Sequence, residues 1–321
     1  MNTDAAVVLA AGEGTRLRPL TRNRPKPMLP AADRPILACV LDALVDAGFD
    51  DLHLVVGYER DRVQNHFGPT FRDRPLAYHV QEKQLGSGHA LLQARDALDG
   101  DFLVINGDQI TAESTITAVA DAHARSDRVT VAVRESDDAP AYGAVRTDDG
   151  RVVDLVERPE TGTFRLMNAG VYAFGPSVFA DIEAADRERG ELALTDVIAR
   201  HIDDRGVVQG VRTEGLWVDA TYPWDLPVVA RELLARGRVE PPERAAGQHV
   251  SPDTAVADSA VLQPPVVVAA DAVVGPNAVV GPNAAVGQNA TVGAGAVVRR
   301  SVVDTDARVG ATATVADSVL G

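Results

Sequence analysis

The amino-terminal part of the chain alternates between short apolar runs and longer stretches whose apolar positions recur three and four residues apart. Residues 5–10, 51–56, 76–80 and 102–105 have the first pattern and are expected to be buried strands; residues 35–47, 59–67 and 88–98 have the second and are expected to be helices, the first stopping at Gly48. Strands and helices in alternation with short connections predict a mostly parallel sheet covered on both faces. In such sheets ligands lie beyond the carboxyl ends of the strands. From Val129 onward strands dominate, over 130–133, 144–146, 152–156 and 167–174. A helix over 191–202, a strand ending at Asp219 and a helix over 227–235 follow.

Beyond a polar segment the pattern changes period. Val250, Val256, Leu262, Val268, Val274, Val280, Val286, Val292 and Val298 stand six residues apart, and the residues four positions on, Thr254, Ala260, Val266, Ala272, Ala278, Ala284, Ala290 and Ala296, are nearly always small. This is the hexapeptide pattern of a parallel β-helix, in which each coil covers the apolar face of the next. The phase slips by one after Val298 and resumes at Val303, Val309 and Val315, which predicts an altered corner near residues 299–301 and about four coils in all. The expected organisation is residues 1–236 as one α/β domain, 237–249 as linker and 250–321 as the β-helix.

Composition narrows the partners. With 321 residues, 45% of them apolar, the chain can bury a large core. A formal charge of −15 disfavours nucleic acid and anionic membranes, so an anionic substrate needs a local basic site. Lys26 and Lys83 are the only lysines among 31 basic residues, which singles out Lys26. An acidic, lysine-poor chain suggests a high-salt cytoplasm, where screening limits self-repulsion. Cys39 is the single cysteine and is read as a buried apolar residue. No signal peptide or spanning helix is expected, and the protein is read as cytoplasmic.

The loop after the first strand is where phosphate chemistry is sought. Gly12 and Gly14 free backbone amides to face an anion, and Arg16, Arg18 and Lys26 add cationic charge. A dinucleotide fingerprint is excluded because Leu17 replaces its third glycine and Pro19, Pro25, Pro27 and Pro30 block the helix it must open. A Walker A loop fails for want of a glycine before a lysine and hydroxyl pair. A surface loop with scattered charges is the plain alternative. Asp108, after the strand over 102–105, could hold a hard cation or simply form a turn.

The block L-x-x-G-x-G-T-R-L, a following proline and P-K-P, filled here by Leu9, Gly12, Gly14, Thr15, Arg16, Leu17, Pro19, Pro25, Lys26 and Pro27, resembles the signature of sugar-1-phosphate nucleotidylyltransferases. The resemblance implies a Rossmann-like nucleotidyltransferase domain. It assigns Arg16 and Lys26 to catalysis and Leu9, Ala11, Gly12, Gly14, Thr15 and Gly107 to the nucleotide. Residues 81–90 resemble the Q-x-x-x-x-G-T-G-H-A of N-acetylglucosamine-1-phosphate uridylyltransferases, with Ser87 for threonine, which assigns Gln81, Gly86 and Ser87 to a pyrimidine base; His89 is read as structural. By the same resemblance Gly143, Glu157 and Asn168 face the sugar. The resemblance also makes Asp108 and Asp219 the Mg²⁺ ligands, Asp219 within a segment similar to the archaeal W-x-D-x-G-x-P, although Ala220 and Tyr222 replace the usual isoleucine and a small residue or lysine. Arg158 stands where relatives carry lysine, which puts a phosphate role for it in doubt.

The function implied is transfer of a nucleotidyl group from a nucleoside triphosphate, UTP or dTTP favoured, to a sugar 1-phosphate, releasing pyrophosphate. Resemblance to hexapeptide acyltransferases makes the β-helix left-handed with three hexads per coil, and a homo-oligomer, with a trimer among the options, is expected through it. Bifunctional relatives acetylate a sugar amine there using a histidine, whereas no histidine lies beyond His249 here, so the domain reads as scaffold. A catalytically silent sugar-nucleotide sensor and a hexapeptide acyltransferase are the rival readings.

Overall fold

The computed structural model describes residues 5–137, 139, 142–157, 164–185, 190–205 and 207–321. The chain forms two compact units, one of residues Met1–Glu13 and Val40–Trp217, the other of Gly14–Cys39 and Val218–Gly321. Contacts therefore gather the segment Gly14–Cys39 with the β-helix, whereas the boundaries expected from sequence follow the chain in order.

The first unit is built on a mixed sheet. Strands β1 (Ala5–Ala10), β2 (Asp51–Val56), β3 (Arg74–Val80) and β4 (Phe102–Asn106) pair in parallel, in the order β4-β1-β2-β3. Val7, Val8, Leu52, Leu54, Leu103 and Val104 are all buried, as a sheet covered on both faces requires. The sheet then ceases to be parallel. Among the described residues no α-helix joins β5 (Thr130–Glu135), β6 (Gly143–Asp148), β7 (Arg151–Glu157) and β8 (Leu166–Phe174); β8 pairs antiparallel with β4, β5 and β6, and β6 with β7. A strand over Val208–Arg212, which the apolar pattern does not announce, inserts between β7 and β5.

Helix ends differ from expectation where side chains compete with the backbone. The segment expected to be helical over 88–98 is an α-helix only over Ser87–Leu92, with a 3₁₀ turn at Arg95–Ala97. The Gln93 amide donates to the His89 carbonyl, and the Gln93 N–H bonds Ala90 instead, which tightens the turn. A helix over Glu113–Ser126 is unannounced: Thr115, Ile116, Val119, Ala122 and His123 form its buried face, too poor in large apolar residues to register. Among the described residues no helix is long and apolar enough to cross a membrane.

In the second unit three stacks of short parallel strands make a three-sided β-helix. Each coil advances 18 residues, as in Gln248↔Val266↔Ala284 and Val261↔Val279↔Val297. After the predicted slip the advance is 17, as in Ala285↔Val302 and Val297↔Thr314. The core is the valine and alanine set of the hexads. Corners at Asn277, Asn283 and Asn289 turn through positive φ, which asparagine tolerates. The helix Leu226–Ala235 packs on the coil strands Ala284–Val286 and Val302–Val303.

Candidate functional site

The second unit holds the charged half of the signature. Gly14 has φ 70°, and a Cβ there would lie 2.7 Å from Lys26 Cβ, so glycine is required both by the backbone and by the close passage of Lys26. Thr21, fully buried, donates its hydroxyl to the Gly14 carbonyl at 2.9 Å and ties the two ends of the turn. Thr15, Arg16 and Leu17 form one 3₁₀ turn, Leu17 buried and Arg16 exposed. The Arg16 guanidinium lies 5.9 Å from the centre of the Tyr222 ring, and that ring stacks on Trp224.

Lys26 Nζ donates to Asp219 Oδ1 at 2.8 Å, and Asp219 Oδ2 accepts the Thr221 hydroxyl at 2.6 Å. The two charged side chains are only 10% and 6% exposed. Asp225 in turn accepts the N–H groups of Thr221 and Tyr222, fixing the turn that carries Thr221. A chain of bonds thus runs from Lys26 through Asp219 to the start of the last helix. Segment Gly14–Cys39 is further held to the β-helix by an ion pair of Arg24 with the buried Asp304, and Asp33 Oδ2 accepts the Glu240 N–H at 3.0 Å.

In the first unit Leu9 and Ala11 lie at the carboxyl end of β1. The Leu9 carbonyl accepts the Gly107 N–H at 2.9 Å, and a Cβ on Gly107 would lie 3.0 to 3.1 Å from Ala10, Leu9 and Val8. Gly107 is therefore a packing glycine that sets Asp108 at the end of β4, half-buried. Gly12 is different: a Cβ there meets nothing within 4 Å and its φ is ordinary, so nothing in the protein itself demands glycine.

Residues 81–90 are engaged by their own surroundings. The buried Gln81 bonds the Gly86 carbonyl and His89 Nδ1 through its amide nitrogen, each at 3.0 Å. Ser87 Oγ accepts the Leu194 N–H at 2.8 Å, Gly88 N–H donates to the Leu192 carbonyl, and Leu192 N–H donates to Leu85. A Cβ on Gly86 would lie 2.4 Å from the Leu192 carbonyl oxygen. Leu192 and Leu194, invisible to motif reading, clamp this loop.

Two residues expected to face the sugar come together. A Cβ on Gly143 would lie 3.3 Å from Asn168 Cβ, and Asn168 donates to the Tyr172 hydroxyl at 2.6 Å while accepting the Gly170 N–H. Gly143 pairs with Glu157 across β6 and β7. Gly170, at φ 72°, abuts Asn106 and Gln109, which flank Asp108. Trp217 donates to the Ala169 carbonyl at 3.0 Å and meets Tyr142 edge to face. Trp217 was not legible as a site-supporting residue because its partner Ala169 is distant in sequence, and Thr21, Tyr172 and Thr221, whose partners are near, belong to no motif that marks them. Arg158 lies outside the described residues.

The chain belongs to the nucleotidyl transferase family, whose model matches residues 5–233. The model of the GMPPB C-terminal domain matches residues 250–321. The bifunctional protein GlmU of Methanococcus maripaludis is 38% identical over 226 residues, which cover 69% of this chain and 52% of that protein. The chain thus spans about half the length of the GlmU relatives it matches. The UTP–glucose-1-phosphate uridylyltransferase AglF of Haloferax volcanii is 37% identical over 226 residues, covering 68% of this chain and 92% of AglF. A solved structure of a putative glucose-1-phosphate thymidylyltransferase from Bacillus anthracis shares the fold, with a TM-score of 0.67 at 24% identity over 74% of this chain and 97% of that one. Members of the family generally use a divalent metal. Aspartate carboxylates such as Asp108 and Asp219 are oxygen donors of the kind a hard cation takes.

Proposed function

We propose that the protein is a sugar-1-phosphate nucleotidyltransferase. A phosphate oxygen of the sugar 1-phosphate forms a bond to the α-phosphorus of a nucleoside triphosphate, the bond from that phosphorus to the bridging oxygen breaks, and its electron pair leaves with pyrophosphate. The nucleophile is already an anion, so the protein needs no general base for it. Its contribution is alignment and neutralisation. Lys26 takes the reacting phosphates, Arg16 and the amides around Gly12 and Gly14 the triphosphate tail. Leu9, Ala11, Thr15 and Gly107 shape the nucleotide pocket, Gln81, Gly86 and Ser87 read the base, and Gly143, Glu157 and Asn168 hold the sugar. Asp108 and Asp219 are the proposed ligands for Mg²⁺, which when bound would neutralise charge on the phosphates.

The observation that carries this reading is the Lys26–Asp219 pair. Removing two charges from water costs about as much as their attraction returns, so such a pair is a poor means of stabilising a fold. A phosphate anion beside Lys26 would meet a cation already held in place by Asp219, which makes the arrangement useful. The test is pyrophosphate release by Lys26→Ala, expected to fall about a thousandfold, or about 4 kcal/mol, in a variant that keeps the circular dichroism of a folded protein but melts lower, because Asp219 loses its buried partner. Near-normal turnover in the folded variant would overturn the proposal. UTP binding with no turnover by the wild type would point instead to a sugar-nucleotide sensor.

UTP or dTTP is the proposed donor and glucose or N-acetylglucosamine 1-phosphate the acceptor; four triphosphates against a panel of sugar 1-phosphates would decide. We further propose residues 1–236 as the transferase domain, 237–249 as linker and 250–321 as a left-handed β-helix mediating a homo-oligomer, in a salt-rich cytoplasm.

A further inference from the structure

We infer that Asp101, His123 and Asp127 form a second cation site, for a borderline divalent ion of the zinc class. Asp101 precedes β4, at its amino end, whereas Asp108 follows its carboxyl end. His123 lies in the last turn of the helix Glu113–Ser126, and Asp127 caps that helix at φ 53°. One ligand atom from each residue lies within 4.8 Å of the other two.

The histidine gives this cluster its meaning. His123 is 1% exposed, and its Nδ1 lies 2.7 Å from the Arg128 carbonyl oxygen. A carbonyl only accepts, so Nδ1 carries the proton, and in the neutral ring Nε2 presents a lone pair. Nε2 is buried and has no hydrogen-bond partner, and it faces Asp101 Oδ2 at 3.5 Å. A lone pair aimed at a carboxylate is repulsive unless a cation stands between them. Two ligands of a tetrahedral ion, each bonded at about 2.0–2.1 Å, stand about 3.3–3.4 Å apart, close to the separation found. A ligating histidine with its other ring nitrogen donating to a carbonyl is also the usual outer-shell arrangement.

One imidazole and two carboxylates suit Zn²⁺, Co²⁺, Ni²⁺ or Mn²⁺ better than Mg²⁺, which prefers oxygen alone. The exposed Asp127 is the residue that would close on the ion by side-chain rotation. Its occupation would pin the end of the helix to the start of β4, a role in stability separate from nucleotidyl transfer.

The test uses the whole chain stripped by chelator and measured in molar KCl, which suppresses loose binding to an acidic surface. Co²⁺ is expected to bind in one equivalent with a visible absorption band that Zn²⁺ abolishes, and Zn²⁺ to raise the melting temperature. Asp127→Asn, which keeps the positive-φ cap, should weaken Co²⁺ binding at least about tenfold. His123→Gln should abolish the band, and Asp108→Asn should leave it unchanged. Absence of a band in the wild type, or equal binding by Asp127→Asn, would overturn the inference and leave His123 as an imidazolium paired with Asp101.

Discussion

The two loops that carry motif residues are built on opposite principles. Between Gly14 and Lys26 the fold leaves out a Cβ so that a lysine can pass, and then gives that lysine a buried carboxylate. Between Gln81 and Ala90 the polar groups close on neighbouring backbone: Gln81 on Gly86, Ser87 on Leu194, Gly88 on Leu192. The first loop places charge, and the second fixes a surface. A motif letter therefore means different things in the two places.

Substituting the two positive-φ glycines should separate these principles most sharply. In Gly86→Ala the new methyl meets a backbone oxygen at 2.4 Å, which cannot swing away, so a loss of about 2–4 kcal/mol in folding stability is expected by urea titration. In Gly14→Ala it meets Lys26 Cβ at the longer distance of 2.7 Å, an atom also fixed to the backbone, so stability should fall by somewhat less, about 1–3 kcal/mol, while turnover drops far more. Equal losses of stability in both would erase the distinction. Removing the carboxylate in Asp304→Ala leaves Arg24 without that partner, and about 3 kcal/mol of stability should go.

Asp33, in the same unit as the first loop, adds a pH handle. Burial raises its pKa from 3.8 to about 6, and its Oδ1 is buried without a partner. A carboxyl whose folded pKa lies above its unfolded one favours folding while protonated. Its contribution is complete below about pH 4 and declines as pH rises through 6. Asp33→Asn should therefore flatten the fall in stability between pH 4 and 7 and be more stable than wild type at pH 7, by at most about 3 kcal/mol. An unchanged pH profile would remove this account. The smallest effect is expected for Ser87→Ala, about 1 kcal/mol from the lost bond to Leu194, with base preference as the second readout.

What could be read from the sequence followed from local repetition. The hexads of the β-helix, and even the residue missing near position 300, were visible because every coil repeats one period. β1 and β2 were legible to the residue because both faces are buried. Lys26 stood out by scarcity. Its bond to Asp219 could not be seen, since 193 residues separate the pair and no local pattern records it. The same holds for Leu192 against Gly86. The helix Glu113–Ser126 escaped because its buried face relies on threonine, alanine and histidine rather than on large aliphatics.

The stacked coils also separate length from function. Successive coils are bonded to one another, and the helix Leu226–Ala235 rests chiefly on two coil strands, Ala284–Val286 and Val302–Val303. Excising or duplicating one whole eighteen-residue turn upstream of Ala284 would shorten or extend the prism without disturbing the aspartate that grips Arg24, so this half of the protein behaves as a spacer whose size evolution or an engineer can edit in fixed increments.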